Sequence, residues 1–225
     1  MHELPARRAE SAGRDDDPTR AEIMEAMLAA SGELGYREVA VRQVLERYGG
    51  HRVQFWQHFA SKEECFAIAY ATWVDRLTTE LVTAALAAGD WRRGMRAALI
   101  ALFEFADERP EVARALLIEA DVAGGGALAK REETIERLGE ALDSAREQAE
   151  PEERPPPLTG VFVAGGIAAY LGERLAAGSP ADLWSGLPEL MRFVTEPYFG
   201  EAAAREELEA ARAFLADRRG EGAAR

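Results

Sequence analysis

Apolar residues recur at intervals of three or four positions along almost the whole chain after residue 17. The first such series consists of Ile23, Met27, Ala30 and Leu34. Gly35 follows where this helix should end, because glycine readily adopts the backbone conformation that closes a helix. No segment shows the sustained alternation of apolar and polar residues that is typical of a half-buried strand. The sequence therefore predicts an all-α protein.

Charge and apolar content limit what such a protein can bind. The 225 residues include 27 Lys or Arg and 40 Asp or Glu, which gives a formal net charge of -13. A surface this acidic repels phosphate, so any contact with nucleic acid must be local. The longest apolar run, 161–172, is shorter than the roughly 20 residues that cross a bilayer. We therefore expect a cytoplasmic protein with no membrane contact.

The residues that usually carry catalysis or bind metals are few and scattered. The chain has a single cysteine, Cys65, so no internal disulfide can form, and its three histidines do not have the spacing of metal ligands. The glycine clusters lack the strand and helix that flank a phosphate-binding loop. Serine, histidine and acidic residues do not form a recognisable catalytic group. We expect no metal, no cofactor and no enzyme activity.

Changes in composition divide the chain into four segments. Residues 1–17 lack apolar periodicity and are predicted to be a disordered tail. Short helical patterns over 18–65 predict a three-helix domain, and longer amphipathic patterns over 66–200 predict a helical bundle. The last strong apolar pattern ends near Pro197, and residues 201–225 are predicted to form a charged C-terminal extension, helical after Gly200, with a weak apolar face at Leu208, Ala211, Phe214 and Leu215.

One segment, RYGGHRVQFWQHFASKEE at 47–64, is basic and aromatic within this acidic chain. It contains two of the three histidines and no acidic residue before its last two positions. Two short helices joined by a glycine turn, the second with Arg, His and Gln, are typical of a helix-turn-helix that reads the major groove. An alternative interpretation is that the aromatic residues are core and the charged residues are an ordinary solvated face.

The longer stretch GYREVAVRQVLERYGGHRVQFWQHFASKEECF resembles the DNA-binding segment of the TetR family of transcriptional repressors. The shared features are the pair Gly35-Tyr36, Gly49 before the second helix, and the string WQHFASKE that closes the unit. The resemblance implies an N-terminal helix-turn-helix domain followed by a helical ligand-binding and dimerisation domain.

The resemblance also implies which residues contact a double-stranded DNA operator. Arg52, Gln54 and Gln57 are candidates for the groove, Trp56 and His58 for phosphates, and Lys62 for a backbone contact; Arg42 and His51 complete the set. The sequence departs from the family at Val39, Ala40 and His51, where the family usually has a hydroxyl that caps a helix or contacts phosphate.

In the resembled family the last two long helices of each protomer form a four-helix dimer interface. The positions that fit this role are Val161, Gly165, Ala168, Leu171, Leu187, Leu190 and Val194. A homodimer would present two recognition helices to a pseudo-palindromic operator. The alternative is that both helices are core within one chain.

A regulator of this type would also respond to a small-molecule effector, whose identity and binding residues the sequence does not indicate. Aromatic and aliphatic residues that fit either an effector cavity or plain core are Phe103, Phe105, Leu117, Phe162 and Tyr170. A second function stays open, because the departures at the DNA-facing positions also fit a dimeric ligand- or protein-binding module that has lost DNA binding.

Overall fold

The computed structural model describes residues 17–148, 154–177 and 183–223. The helices are α1 Pro18–Leu34, α2 Val41–Tyr48, α3 Arg52–His58, α4 Lys62–Ala87, α5 Trp91–Glu108, α6 Pro110–Arg114, α7 Ala120–Ala123, α8 Gly125–Asp143, α9 Thr159–Ala176 and α10 Leu187–Ala223. Short 3-10 turns cover Ser144–Gln148 and Trp184–Gly186. These described ranges contain no strand, and the predicted all-α class is confirmed.

The described residues form two compact units, of which the first contains 17–73 and 111–130. In it α1 packs against α2 and α3. Its core is made of side chains that are almost fully buried: Ile23, Met27, Leu28, Val44, Phe55, Phe59 and Phe66. Ser61 and Glu64 have the spacing of a capping box, and the Ser61 Oγ accepts a hydrogen bond of 3.1 Å from the Glu64 N–H at the start of α4.

The second unit contains 74–110 and the described residues from 131 onwards. Here α10 packs against both α5 and α9. The buried residues of α9 and α10 include Val163, Ile167, Leu171, Leu187, Met191, Val194, Leu208 and Leu215. No helix in the described ranges combines the length and apolar character that crossing a membrane requires.

The helix end predicted near Pro197 lies close to an observed break. The helix that begins at Leu187 is interrupted at Gly200, which has φ 76° and ψ 174°, and a second helical stretch continues from there to Ala223. The helical pattern before the triple glycine contains a π-helical turn, Ala115–Glu119. There the hydroxyl of Tyr70 donates a 3.2 Å hydrogen bond to the carbonyl of Leu116.

The predicted segments 18–65, 66–200 and 201–225 stay predictions as domain boundaries. The predicted disordered tail, apart from Asp17, lies outside the described residues, as do residues 149–153 before α9. Asp17 itself caps α1, because its side chain accepts a 3.0 Å hydrogen bond from the Thr19 N–H.

Glycine at position 160 is required by a close approach between α8 and α9. A Cβ placed there would lie 2.0 Å from the carbonyl oxygen of Gly139, which is backbone and cannot rotate away. We expect Gly160→Ala to lower the free energy of unfolding by about 1–3 kcal/mol or more, because the helices must separate to admit the methyl group. Urea denaturation followed by circular dichroism measures this loss.

Gly220, on α10 in the second unit, provides the control. A Cβ there meets nothing within 4 Å. Since alanine is the better helix former, we expect Gly220→Ala to be neutral or to stabilise by about 0.5–1 kcal/mol. Equal destabilisation by both substitutions would contradict the close approach.

Candidate nucleic-acid interface

The turn between α2 and α3 depends on two glycines with different roles. Gly49 ends α2 in the left-handed conformation, with φ 78° and ψ 17°, and its N–H donates a 2.8 Å hydrogen bond to the carbonyl of Leu45. At Gly50 a Cβ would lie 1.9 Å from the ring of Tyr48. The double glycine therefore sets a tight turn and allows Tyr48 to cover it.

Neither α2 nor α3 is capped by the side chain of its N-cap residue, which is Ala40 or His51. In each helix a glutamine at the third position accepts from the N-cap N–H instead. Gln43 Oε1 lies 2.6 Å from the Ala40 nitrogen, and Gln54 Oε1 lies 2.7 Å from the His51 nitrogen. These bonds fill half of the usual capping box and offset part of the cost of the missing hydroxyls.

The helix α3 has one buried side and one exposed side. Phe55 and Phe59 are 0% and 1% exposed, and their ring centroids lie 5.6 Å apart. The remaining side of the helix is exposed at Arg52, Val53, Trp56 and Gln57. Since residues three and four apart lie on the same side of a helix, these four side chains form a continuous surface, which we call the α3 outer face.

The structure separates the eight predicted DNA-contacting residues into two groups. Arg42, His51, Arg52, Trp56 and Gln57 are exposed, whereas Gln54, His58 and Lys62 are partly buried. Arg42 forms an exposed ion pair of 3.3 Å with Glu46 one helical turn away. The Nε2 atom of His58 lies 3.7 Å from a carboxylate oxygen of Asp17. Only the first group presents side chains directly to solvent.

Lys62 bonds to the backbone of its own unit. Its ammonium group donates to the carbonyls of Tyr36 at 3.0 Å and Val39 at 3.1 Å, and it lies 4.2 Å from the centroid of the Tyr36 ring. Burial and then the neighbouring Glu63 carboxylate raise the pKa of Tyr36, so its ring is neutral where Lys62 stacks. Lys62 thereby fixes the loop between α1 and α2.

This geometry predicts that Lys62 stabilises the first unit. Lys62→Met keeps the apolar stem and removes the ammonium, and we expect a loss of about 1.5–3 kcal/mol, the range for hydrogen bonds to a charged group. Arg42→Met is the control, because its exposed ion pair is worth less than about 1 kcal/mol. Thermal unfolding measures both. If Lys62→Met weakened DNA binding and left stability unchanged, the structural role would be contradicted.

The residues predicted for dimerisation also divide into two groups. Leu171, Leu187, Leu190 and Val194 are 0–6% exposed within the single chain, whereas Val161, Gly165 and Ala168 are partly exposed. The large apolar side chains exposed on α9 and α10 are Phe162 at 74% and Phe193 at 46%. A Cβ on Gly166 would lie 3.3 Å from the Phe193 ring, and Phe162 is one turn from Gly166. We call this contiguous surface the Phe162 patch.

The sequence interpretation did not select Phe193 and placed Phe162 with possible cavity residues. An apolar series indicates that a residue is buried or paired, but it does not say which neighbour covers it. Phe103, from the same group, is 0% exposed and meets the ring of Trp184 edge-on at 5.2 Å. Phe103 is therefore part of the core of the second unit.

No protein-family model matches this sequence, and neither does any curated protein. Solved structures do match. The fatty acid degradation regulator FadR from Bacillus halodurans aligns with a TM-score of 0.70 at 14% identity, over 80% of this chain and 95% of its own. A transcriptional regulator from Rhodococcus sp. Rha1 aligns with a TM-score of 0.57 at 24% identity, over 85% and 95%.

A third solved structure, TylP, a TetR regulator from Streptomyces fradiae, aligns with a TM-score of 0.55 at 20% identity, over 88% of this chain and 94% of its own. Likeness at these identities defines a fold. The chain has the all-α fold of TetR-type transcriptional regulators, as its sequence resemblance implied.

Proposed function

We propose that this protein is a TetR-like one-component transcriptional regulator that binds a pseudo-palindromic operator as a homodimer. The observation that carries the proposal is the α3 outer face, which presents Arg52, Trp56 and Gln57 from a helix-turn-helix. A cation and an amide are the groups that contact phosphates and base edges in the major groove. A local cationic surface on an otherwise acidic protein favours contact with a polyanion at that surface.

Homodimerisation is proposed through the Phe162 patch. Phe162 and Phe193 expose apolar area that the described residues of one chain leave uncovered. Two copies related by a two-fold axis would cover it and would set their recognition helices one DNA turn apart or a multiple of it. Candidate contacts at the same surface are Val161, Gly165 and Ala168.

Action as a repressor released by a small molecule is the remaining part of the proposal. An effector that binds one dimer geometry better shifts the population toward it, and operator affinity falls by the difference in binding free energy. The neighbours support a regulatory role, since FadR is described as a regulator of fatty acid degradation and the other two as transcriptional regulators. An apolar or amphipathic effector is the expectation for this chain.

Fluorescence anisotropy tests the proposal, with DNA from upstream of the protein's own gene and a shuffled duplex of the same composition. We expect selective binding whose log affinity falls linearly with log salt, with a slope near -0.9 for each phosphate contacted. If the protein prefers no sequence, either in the upstream DNA or in a selection from random duplexes, the proposal of operator binding is contradicted.

The second candidate function is a dimeric ligand- or protein-binding module on the same fold without DNA binding. It is favoured by Gln54 and Lys62, whose polar groups bond within the protein, and by the absence of hydroxyl caps at Ala40 and His51. A stable dimer that selects no DNA sequence would support this function.

A further inference from the structure

The α3 outer face contains an apolar residue at its centre. Val53 is 66% exposed, and Gln57, one turn further on, is the neighbouring exposed residue. Trp56, at 44% exposed, lies beside them and packs its ring edge-on against Phe55 at 5.0 Å. The surface offered by this helix is therefore apolar at its centre and polar at Arg52 and Gln57.

Gln54, which the sequence placed among the base-reading residues, is already bonded at both ends of its amide. Its Oε1 accepts from the His51 N–H at 2.7 Å, and its Nε2 donates to the hydroxyl of Tyr48 at 3.2 Å. Turning this amide toward a base would break both bonds and remove the only side-chain contribution to the cap of α3. Val53, not Gln54, is thus the side chain available in this part of the helix.

Only one base edge in the major groove of unmodified DNA suits an apolar side chain, and that is the C5-methyl group of thymine. Cytosine, guanine and adenine would place donors or acceptors against a valine that cannot bond them, and these polar groups would lose water. Arg52, adjacent in sequence and exposed, supplies a positive charge that would favour the approach of α3 to DNA.

We propose that Val53 is a specificity-determining residue that contacts the C5-methyl group of a thymine in each operator half-site. The inference rests on the proposed function and deepens it. It assigns base recognition to Val53, and it predicts an operator with a required thymine rather than any pyrimidine.

The test begins with selection of a high-affinity sequence from random duplexes by the wild-type protein. Each thymine is then replaced in turn by deoxyuridine, which removes one methyl group and keeps every hydrogen-bonding group. We expect one thymine per half-site whose replacement weakens binding about fourfold, the equivalent of one buried methylene. For Val53→Ala, which removes two methyl groups, the preference for thymine over uracil at that position should fall.

Val82→Ala is the matched control, because Val82 is exposed, at 41%, on α4 in the second unit. It should keep the wild-type preference for thymine. Both variants change an exposed side chain, and their melting temperatures should match that of the wild type. Selective binding with the same thymine-to-uracil ratio in Val53→Ala and wild type overturns this inference alone. Failure to select any sequence overturns the proposed function, and the inference with it.

Discussion

Arg52→Ala is expected to lower operator affinity by at least tenfold while leaving the fold intact. Arg52 is exposed at the first position of α3, next to the centre of the α3 outer face. A lost base or phosphate contact from arginine costs about 1–3 kcal/mol, and a dimer loses two such contacts. Anisotropy titration on the selected operator measures the loss.

The salt dependence separates the two kinds of contact. If Arg52 contacts phosphate, the slope of log affinity against log salt becomes less steep by about 0.9 per protomer, and all sequences weaken together. If it contacts a base, discrimination at one position is lost and the slope hardly changes. Either result agrees with the proposal, and the change in slope distinguishes a phosphate contact from a base contact.

Arg205→Ala controls for net charge. Arg205 forms an exposed ion pair of 2.7 Å with Glu201 in the second unit, so its removal changes the charge of the protein by the same amount. We expect no measurable change in operator affinity. Equal losses of operator affinity in the two variants would mean that binding depends on the overall charge of the protein and not on a local contact from Arg52.

The sequence predicted the helices well because their signals are local. Gly35 and Gly49 end helices where the apolar patterns stop, and Ser61 begins the next one. A glycine that ends a helix or a serine that caps one acts on atoms within four residues, so its effect can be recognised from a short stretch of sequence. The helix-turn-helix was predictable for the same reason.

The roles of individual polar residues were less predictable, because they depend on contacts between distant positions. Lys62 bonds to carbonyls 23 and 26 residues away in the sequence. Gln54 was predicted to contact a base, but its amide nitrogen donates a hydrogen bond to the hydroxyl of Tyr48.

The second large effect is expected from Phe162→Glu combined with Phe193→Glu, which should convert the proposed homodimer to a monomer. Covering a phenylalanine side chain stabilises by about 1.5–3 kcal/mol, and a two-fold interface counts each residue twice. Two glutamates per chain remove that gain and place like charges together. Sedimentation velocity over a range of concentrations measures the change in mass.

Leu86→Glu is the control, because Leu86 is 78% exposed on α4 and lies outside the Phe162 patch. It should remain a dimer. If the double variant had the same dimer dissociation constant as the wild type, the Phe162 patch would not be part of the interface.

Loss of the dimer should also be detected at the operator, although neither phenylalanine belongs to the helix-turn-helix. Once one recognition helix is bound, the second binds at the high effective concentration set by the dimer, which typically adds a factor of about 100 to 10,000 to the affinity. A monomer lacks this factor, so the double variant should still bind an isolated half-site like the wild type and should lose its preference for the two-site operator. That pattern requires two coupled protomers, because unfolding of the first unit would remove half-site binding as well.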